Sequence, residues 1–452
     1  MFKDYYECRI WLENFIPQVW TRKELGLERI SHLLELLGNP QNKFKSIQIA
    51  GTSGKGSTAF YIARLLQRAK ETESQRDRVG LHISPHLVDI RERMQINGKL
   101  IGLNKFIKLI EEIKPAVDEM KNSRVGYPSY FEIPVAASFL YFAKEKVDWA
   151  VVEVGLGGRL DATNVLNPKL TVITNVGLDH TDILGKTEEK IAFEKAGIIK
   201  QGVPVVTGVE GKALDVVEKT AKEKKAPLIT INTQFPQKAL KSDSFRTITL
   251  PIDIFKNSSQ VFGYSNKLLA LAVVRTLGIP QNKGQTIKAL SATFPGRFEE
   301  IEKGVILDGA HNADKTKFLI RWIKEKTTDY RLQTTAVDRR QWTVVLIIAF
   351  KKGKDWKKMV DLLIKNLPVS KVIATKFYAV TDMGKHQAVE PMEIAKYVRS
   401  VYSLQTTVYS NSHDAVFSAL STNHQSTNQL TLVTGSLYLM GEVRTIWKLP
   451  EF

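Results

Sequence analysis

A single cysteine, Cys8, among 452 residues excludes disulfides within the chain and any cysteine-based zinc site. No apolar run approaches the roughly 20 residues of a membrane span. The opening stretch MFKDYYECRIWLENF mixes acids into its hydrophobes and has no basic segment ahead of an apolar core. A secretory leader is therefore not expected, and a cytoplasmic protein is the natural reading. G-x-S-x-G, the elbow of serine hydrolases, does not occur, and neither does the zinc helix H-E-x-x-H. Internal repeats and low-complexity tracts are missing too.

Charge of one sign is not scarce: 65 Lys and Arg against 47 Asp and Glu give a formal +18. The basic residues are spread along helical stretches such as EEIKPAVDEMK and AKEKKAP, mixed with acids. A nucleic-acid binder concentrates them in a patch or stripe. Nucleic acid and membrane are therefore not expected as partners. The excess reads as a solvated surface or as electrostatic attraction of small anionic substrates.

A chain of this length implies two or three domains. Apolar β-rich runs alternate with helical patterns, which predicts an α/β fold with mostly parallel sheets. Strands are expected at 44–50, 79–83, 147–154, 170–176, 203–207 and 227–231, with helices at 56–70, 104–121, 133–146, 186–199, 211–224 and 264–277. Segment 233–262 lacks periodicity. At Pro295-Gly296 the pattern restarts, predicting a larger domain over 1–296 and a smaller α/β domain over 297–452. The polar stretch 326–341 reads as a surface loop.

Residues 47–66, IQIAGTSGKGSTAFYIARLL, form a strand, a glycine-rich turn and a helix. Backbone N–H groups and the helix dipole converge there, as an anion requires. Spacing departs from G-x-x-x-x-G-K-[ST], because Gly56 separates Lys55 from Ser57. Lys55 can reach a terminal phosphate, and Ser57 or Thr58 a metal. Glu153 closes the buried strand run DWAVVEV, where a carboxylate costs free energy unless a cation or backbone donors meet it. Asp179 and His180 follow strand 170–176, at the strand ends where open α/β folds bind ligands. His180 reads as a metal ligand or a structural histidine. Ser84 follows strand 79–83 and can orient substrate or touch a metal. Asp308 and His311 follow a later strand, and Arg297 stands at the inferred hinge, within reach of phosphates. Lys195 falls on the apolar face of its helix and, on residue chemistry alone, reads as a salt-bridged core lysine.

Together GTSGKGST (51–58), SPHL (84–87), ERMQING (92–98), VEVGLGGRLDATN (152–164), LDHTDILGKTEEKIAFEKAGIIK (178–200), PGRFE (295–299), DGAHN (308–312) and GSLY (435–438) resemble the folylpolyglutamate synthase/dihydrofolate synthase family of the Mur ligase superfamily. The resemblance implies a P-loop-type ATPase domain followed by a Rossmann-like domain, in a monomer. It implies that ATP phosphorylates a folate or dihydropteroate carboxylate, and that the amine of L-glutamate then attacks the acyl phosphate. Thr52, Ser53, Gly54, Lys55, Gly56 and Ser57 would hold the phosphates, and Asn266, Arg297 and Asp308 would contact ATP. Ser84, Glu153 and His180 would ligate two Mg²⁺ ions, Lys195 would be carbamylated by CO₂, and His311 would help place glutamate. Leu25, Gly26, Leu27, Glu28, Ser129, Tyr130, Phe131, Glu132, Leu160, Asp161 and Ala162 would line the pterin site. Proteins with this pattern often carry both synthase activities.

Departures from the family pattern fall at Ser53, Ser129, Pro134 and Ala313, and bear on substrate preference more than on ATP chemistry. The nearest competitor is a cell-wall precursor ligase, against which SPHL, GLGGRLDATN and the short segment ahead of residue 47 argue. A non-catalytic nucleotide-binding module would not need Glu153, His180, Lys195 and His311 together.

Overall fold

The computed structural model describes residues 1–17, 25–67, 77–231, 264–333, 342–381, 384–423 and 429–447. The aperiodic segment 233–262 lies outside them. Two β-sheets organise the chain. The first contains β1 (Lys45–Ala50), β2 (Val79–His82), β3 (Gln95–Ile96), β4 (Lys99–Leu100), β5 (Trp149–Glu153), β6 (Leu170–Ile173), β7 (Val205–Thr207) and β8 (Leu228–Thr230). Their order is β4-β3-β2-β5-β1-β6-β7-β8. All neighbours are parallel except β3 and β4, which form an antiparallel edge. Near-continuous apolar runs such as SIQIA and AVV suit this sheet, since parallel strands are covered on both faces. Ile47, Ile49, Val151 and Val172 pack against the helices Lys55–Leu66 and Tyr264–Thr276. Ala50, Val154, Ile173 and Val205 pack against the opposite layer.

The second sheet contains β9 (Glu299–Glu302), β10 (Val305–Asp308), β11 (Thr343–Ile348), β12 (Val369–Ala374), β15 (Thr406–Val408) and β16 (Gln429–Thr434), with β13 (Ala379–Thr381) and β14 (Gly384–His386) forming a separate hairpin. Its order is β15-β12-β11-β16-β10-β9, parallel except for β9. The described residues are therefore α/β, with a large mostly parallel sheet and a smaller one following it.

One local expectation changes, and one agrees. The loop over 326–341 begins later, because the helix Ala313–Gln333 runs through its first eight residues; residues 334–341 lie outside the description. The helix expected over 133–146 forms as Glu132–Lys144 and contains Pro134. The proline is its third residue, in the first turn, where the N–H that proline lacks has no intrahelical acceptor.

Candidate active site

Carboxyl ends of both sheets face one cleft of about 470 Å³. From the first sheet come the loop after β1 (Thr52 to Ser57), Ser84 after β2, Glu153 and Gly155 at the end of β5, and Asp179 and His180 after β6. From the second come His311 after β10, Lys351 and Lys354 after β11, and Ser436 to Tyr438 after β16. Binding at strand carboxyl ends is the general rule for open α/β sheets.

The loop after β1 is braced by β6. Thr52 N–H donates to the Asn175 carbonyl (3.0 Å) and Ser53 N–H to Asn175 Oδ1 (2.9 Å). The Thr174 hydroxyl donates to the Ser53 carbonyl (2.6 Å). Those bonds fix the loop's shape and aim the start of the helix Lys55–Leu66, whose first N–H groups have no intrahelical acceptors, into the cleft. Gly54 has φ +77°, and a Cβ there would stand 2.3 Å from Asn266 Oδ1. Asn266 in turn lies 3.3 Å from the Thr58 hydroxyl. Gly56 sits directly over the end of β5: a Cβ would lie 3.0 Å from Glu153 Oε2. The inserted glycine of GTSGKGST is thus the residue that lets this carboxylate reach the phosphate loop.

Glu153 is 6% exposed and accepts N–H bonds from Ser84 (3.0 Å) and Gly56. Burial raises its pKa, opposed by the positive charges of Lys55 and Arg297. The Ser84 hydroxyl oxygen is buried with no hydrogen-bond partner. A buried carboxylate with no ion pair among the described residues, beside an unpartnered hydroxyl, is a donor set for a hard cation, which takes oxygen ligands and is commonly completed by phosphates and water. No group of three or more His, Cys, Asp or Glu converges on a metal position among the described residues. The oxygen donors of Ser84 and Glu153 fit a hard divalent cation whose remaining ligands come from phosphate and water. Burial lowers the pKa of His180, favouring the neutral ring that ligates metal.

Lys195 is 3% exposed and makes no ion pair among the described residues, so the salt-bridge reading does not hold. Burial, with the nearby charge of Lys55, pushes its pKa down to about 7. It is not among the residues that line the cleft. Asp308 is also buried, and its two oxygens accept N–H bonds from Phe298 and Ala310 (both 2.9 Å), which ties the hinge to the end of β10. Arg297 and His311 line the cleft.

Of the expected pterin-site residues, Leu25, Gly26, Ser129, Phe131, Glu132, Leu160, Asp161 and Ala162 line the same cleft, whereas Leu27, Glu28 and Tyr130 do not. Gly26 N–H bonds to the Leu160 carbonyl (3.2 Å), joining two of these segments. Asp161 accepts from Leu156 N–H and from Thr163, so it shapes the GLGGRLDATN loop. Glu132, 2% exposed, pairs with Arg29 at 3.0 Å, a partner not foreseen because ERI at the start of Glu28–Leu36 has the look of an ordinary solvated helix turn. Removing one member of a buried pair leaves the other uncompensated. Arg29→Met is expected to lower unfolding stability by about 2–4 kcal/mol, with Glu132→Gln in the same chain recovering most of it. Denaturant melts of the three variants check this, and an unchanged midpoint for Arg29→Met would remove the pair's structural role.

Sequence reasoning also missed Lys315, Lys351 and Lys354. Lys354 bridges the two sheets through Asp179 (3.6 Å). Charged residues inside helices and loops carry no signal of which cleft they face.

Two parallel-sheet units with a phosphate loop and a buried carboxylate between them match the architecture of an ATP-dependent ligase of the Mur type. The Mur ligase middle domain matches residues 129–276, and the dihydrofolate synthetase C-terminal domain matches 296–446. The chain is 31% identical to the dihydrofolate synthase/folylpolyglutamate synthase of Bacillus subtilis, over 98% of this chain and 99% of that one. The crystal structure of folylpolyglutamate synthase from Thermotoga maritima superposes with a TM-score of 0.75 at 30% identity, covering 98% and 96% of the two chains. That of the Mycobacterium tuberculosis enzyme, complexed with ADP and AMPPCP, gives 0.76 at 27% identity with 99% coverage of both. This chain belongs to the folylpolyglutamate synthase/dihydrofolate synthase family. No helix among the described residues is long and apolar enough to cross a membrane.

Proposed function

We propose that this protein is an ATP-dependent carboxylate–amine ligase that joins L-glutamate to the carboxylate of a folate or of dihydropteroate. The observation that carries the reading is the convergence, in one cleft, of the phosphate loop, Ser84, Glu153 and His180 from one sheet with Arg297 and His311 from the other. We assign residues 1–296 to ATP and folate and 297–452 to the glutamate end. In the first step a carboxylate oxygen of the acceptor attacks the γ-phosphorus of ATP, and the bond to the β-phosphate oxygen breaks. ADP and an acyl phosphate result. Lys55, the helix N–H groups and Arg297 neutralise charge that builds on the phosphoryl oxygens, which is where preorganised donors contribute most. In the second step the glutamate amine attacks the acyl carbon, phosphate leaves, and the nitrogen loses a proton as the amide forms. His311 positions that amine.

Ser84, Glu153 and His180 would hold two magnesium ions, which when bound screen the phosphate oxygens and polarise the γ-phosphoryl group. Lys195 would become a carbamate: its neutral nitrogen would form a bond to the carbon of CO₂ and release a proton, leaving a buried anion that would support the metal site. Asn266 and Asp308 hold the nucleotide end, through the loop and the hinge respectively. The segments around Gly26, Phe131 and Leu160 take the pterin, whose aromatic plane suits an apolar wall that includes Phe131.

Both acceptors are proposed, because the Bacillus subtilis relative carries both names in one chain of matching length. ADP release is measured with dihydropteroate and with tetrahydrofolate in parallel, each with and without L-glutamate. Turnover that needs both the pterin compound and glutamate is expected. No turnover with either acceptor sinks the proposal, and turnover with one alone assigns a single activity.

A further inference from the structure

Cations line the cleft in excess of what the nucleotide uses. Lys55 and Arg297 face the phosphates, Lys354 pairs with Asp179 (3.6 Å), and Arg444 pairs with Glu299 (3.0 Å). Lys315 has none of these tasks. It sits in the first turn of the helix Ala313–Gln333, half-buried, and makes no ion pair among the described residues. His311 stands just ahead of that helix, with three residues between it and Lys315. Its Nζ lies 2.8 Å from His311 Nε2, and His311 Nδ1 lies 2.8 Å from the Gly309 carbonyl.

That chain of contacts fixes the protons. A carbonyl only accepts, so Nδ1 carries the hydrogen and Nε2 is the lone-pair nitrogen that receives one N–H of Lys315. Burial and the charges of Lys315 and Arg297 hold His311 neutral. Lys315 keeps further donors, in the cleft and beside the histidine assigned to the amine. Burial and Arg297 push its pKa down to about 7, and a carboxylate placed against it restores its charge.

Resting on the ligase reading of this cleft, we propose that Lys315 is a specificity residue that pairs with a carboxylate of the incoming amino acid and, through His311, sets where its amine lies. An ammonium group meets a carboxylate by a charge-assisted bond that a neutral amide cannot replace. The amino acid has two carboxylates, and its two monoamides tell them apart.

Lys315→Met and Lys315→Arg are compared with the unaltered protein for ADP release. Lys315→Met is expected to raise KM for L-glutamate about 10- to 100-fold, with KM for ATP unchanged, and Lys315→Arg to return most of that loss. L-Glutamine and L-isoglutamine are tested as inhibitors. The one whose masked carboxylate is Lys315's partner inhibits the parent and Lys315→Met equally; the other weakens by the same factor as glutamate. A KM for glutamate that stays within about 3-fold in Lys315→Met, or a matching rise in KM for ATP, overturns the assignment, as does equal weakening of both amides. If the unaltered protein releases no ADP with a folate and glutamate, the ligase reading itself fails instead.

Discussion

Glutamine in place of Glu153 is expected to abolish magnesium-dependent turnover while raising the melting temperature of the metal-free protein. The carboxylate is 6% exposed and has no ion pair among the described residues. Two N–H donors, from Ser84 and Gly56, are its direct support. Burying a charge on that little compensation costs stability, and the neutral amide has nearly the same shape. A rise of about 2–4 °C corresponds to relief of roughly 1 kcal/mol in a chain of such domains. On the proposed reading the hard anionic ligand is lost, and with it the ion that would hold the phosphates. The expected fall in kcat/KM is at least about 10³-fold, the scale of a preorganised electrostatic contact. Thermal melts supply the second readout: Mg²⁺ with ADP raises the melting temperature of the parent by mass action and leaves Glu153→Gln where it was. A variant that is both active and no more stable than the parent would show that Glu153 is a structural carboxylate satisfied by its two amides.

The phosphate loop was legible because its chemistry is local. Glycines, a lysine and hydroxyls must be neighbours in sequence to wrap one anion, and a strand before them and a helix after them are readable from periodicity. Even the irregular spacing has a local cause, visible only once β5 is placed: Gly56 lies where any side chain would press on Glu153. Strand order was less accessible. That β5 stands between β2 and β1, bringing Glu153 under a loop about a hundred residues earlier, follows from packing of whole elements. The same holds for Asp179 and Lys354, one from each sheet, and for Glu132 and Arg29. Lys315 was hidden for another reason. A lysine in a helix beginning ADKTK looks like surface, and its role depends on which side of one helical turn faces His311. Lys195 stood out against its apolar helix face, but what that meant did not: a lysine without a carboxylate partner is unlike the ion-paired residue that burial alone suggests.

Replacing Lys195 is expected to separate function from stability most sharply, because this amine is buried against its own charge. Its folded pKa of about 7 lies below the ordinary lysine value near 10.4. The folded state therefore binds fewer protons than the unfolded state between those two values, and stability rises with pH across that window. Below about pH 7 both states are protonated and the cost is present in full. Lys195→Met, which keeps the volume and removes the charge, should unfold at a higher temperature than the CO₂-depleted parent at pH 7, with the gap closing as pH approaches 10. Lys195→Ala is expected to lower kcat/KM by about 10²–10³-fold, since the anion formed on the nitrogen is lost with the side chain. Alanine leaves a cavity where that anion stood, so a short carboxylic acid, or bicarbonate, should restore part of the rate in proportion to its concentration, while Lys195→Met, which fills the space, should not respond. Full activity in Lys195→Ala would refute the carbamate. Loss of activity with equal rescue of both variants would place the effect away from the vacated side chain.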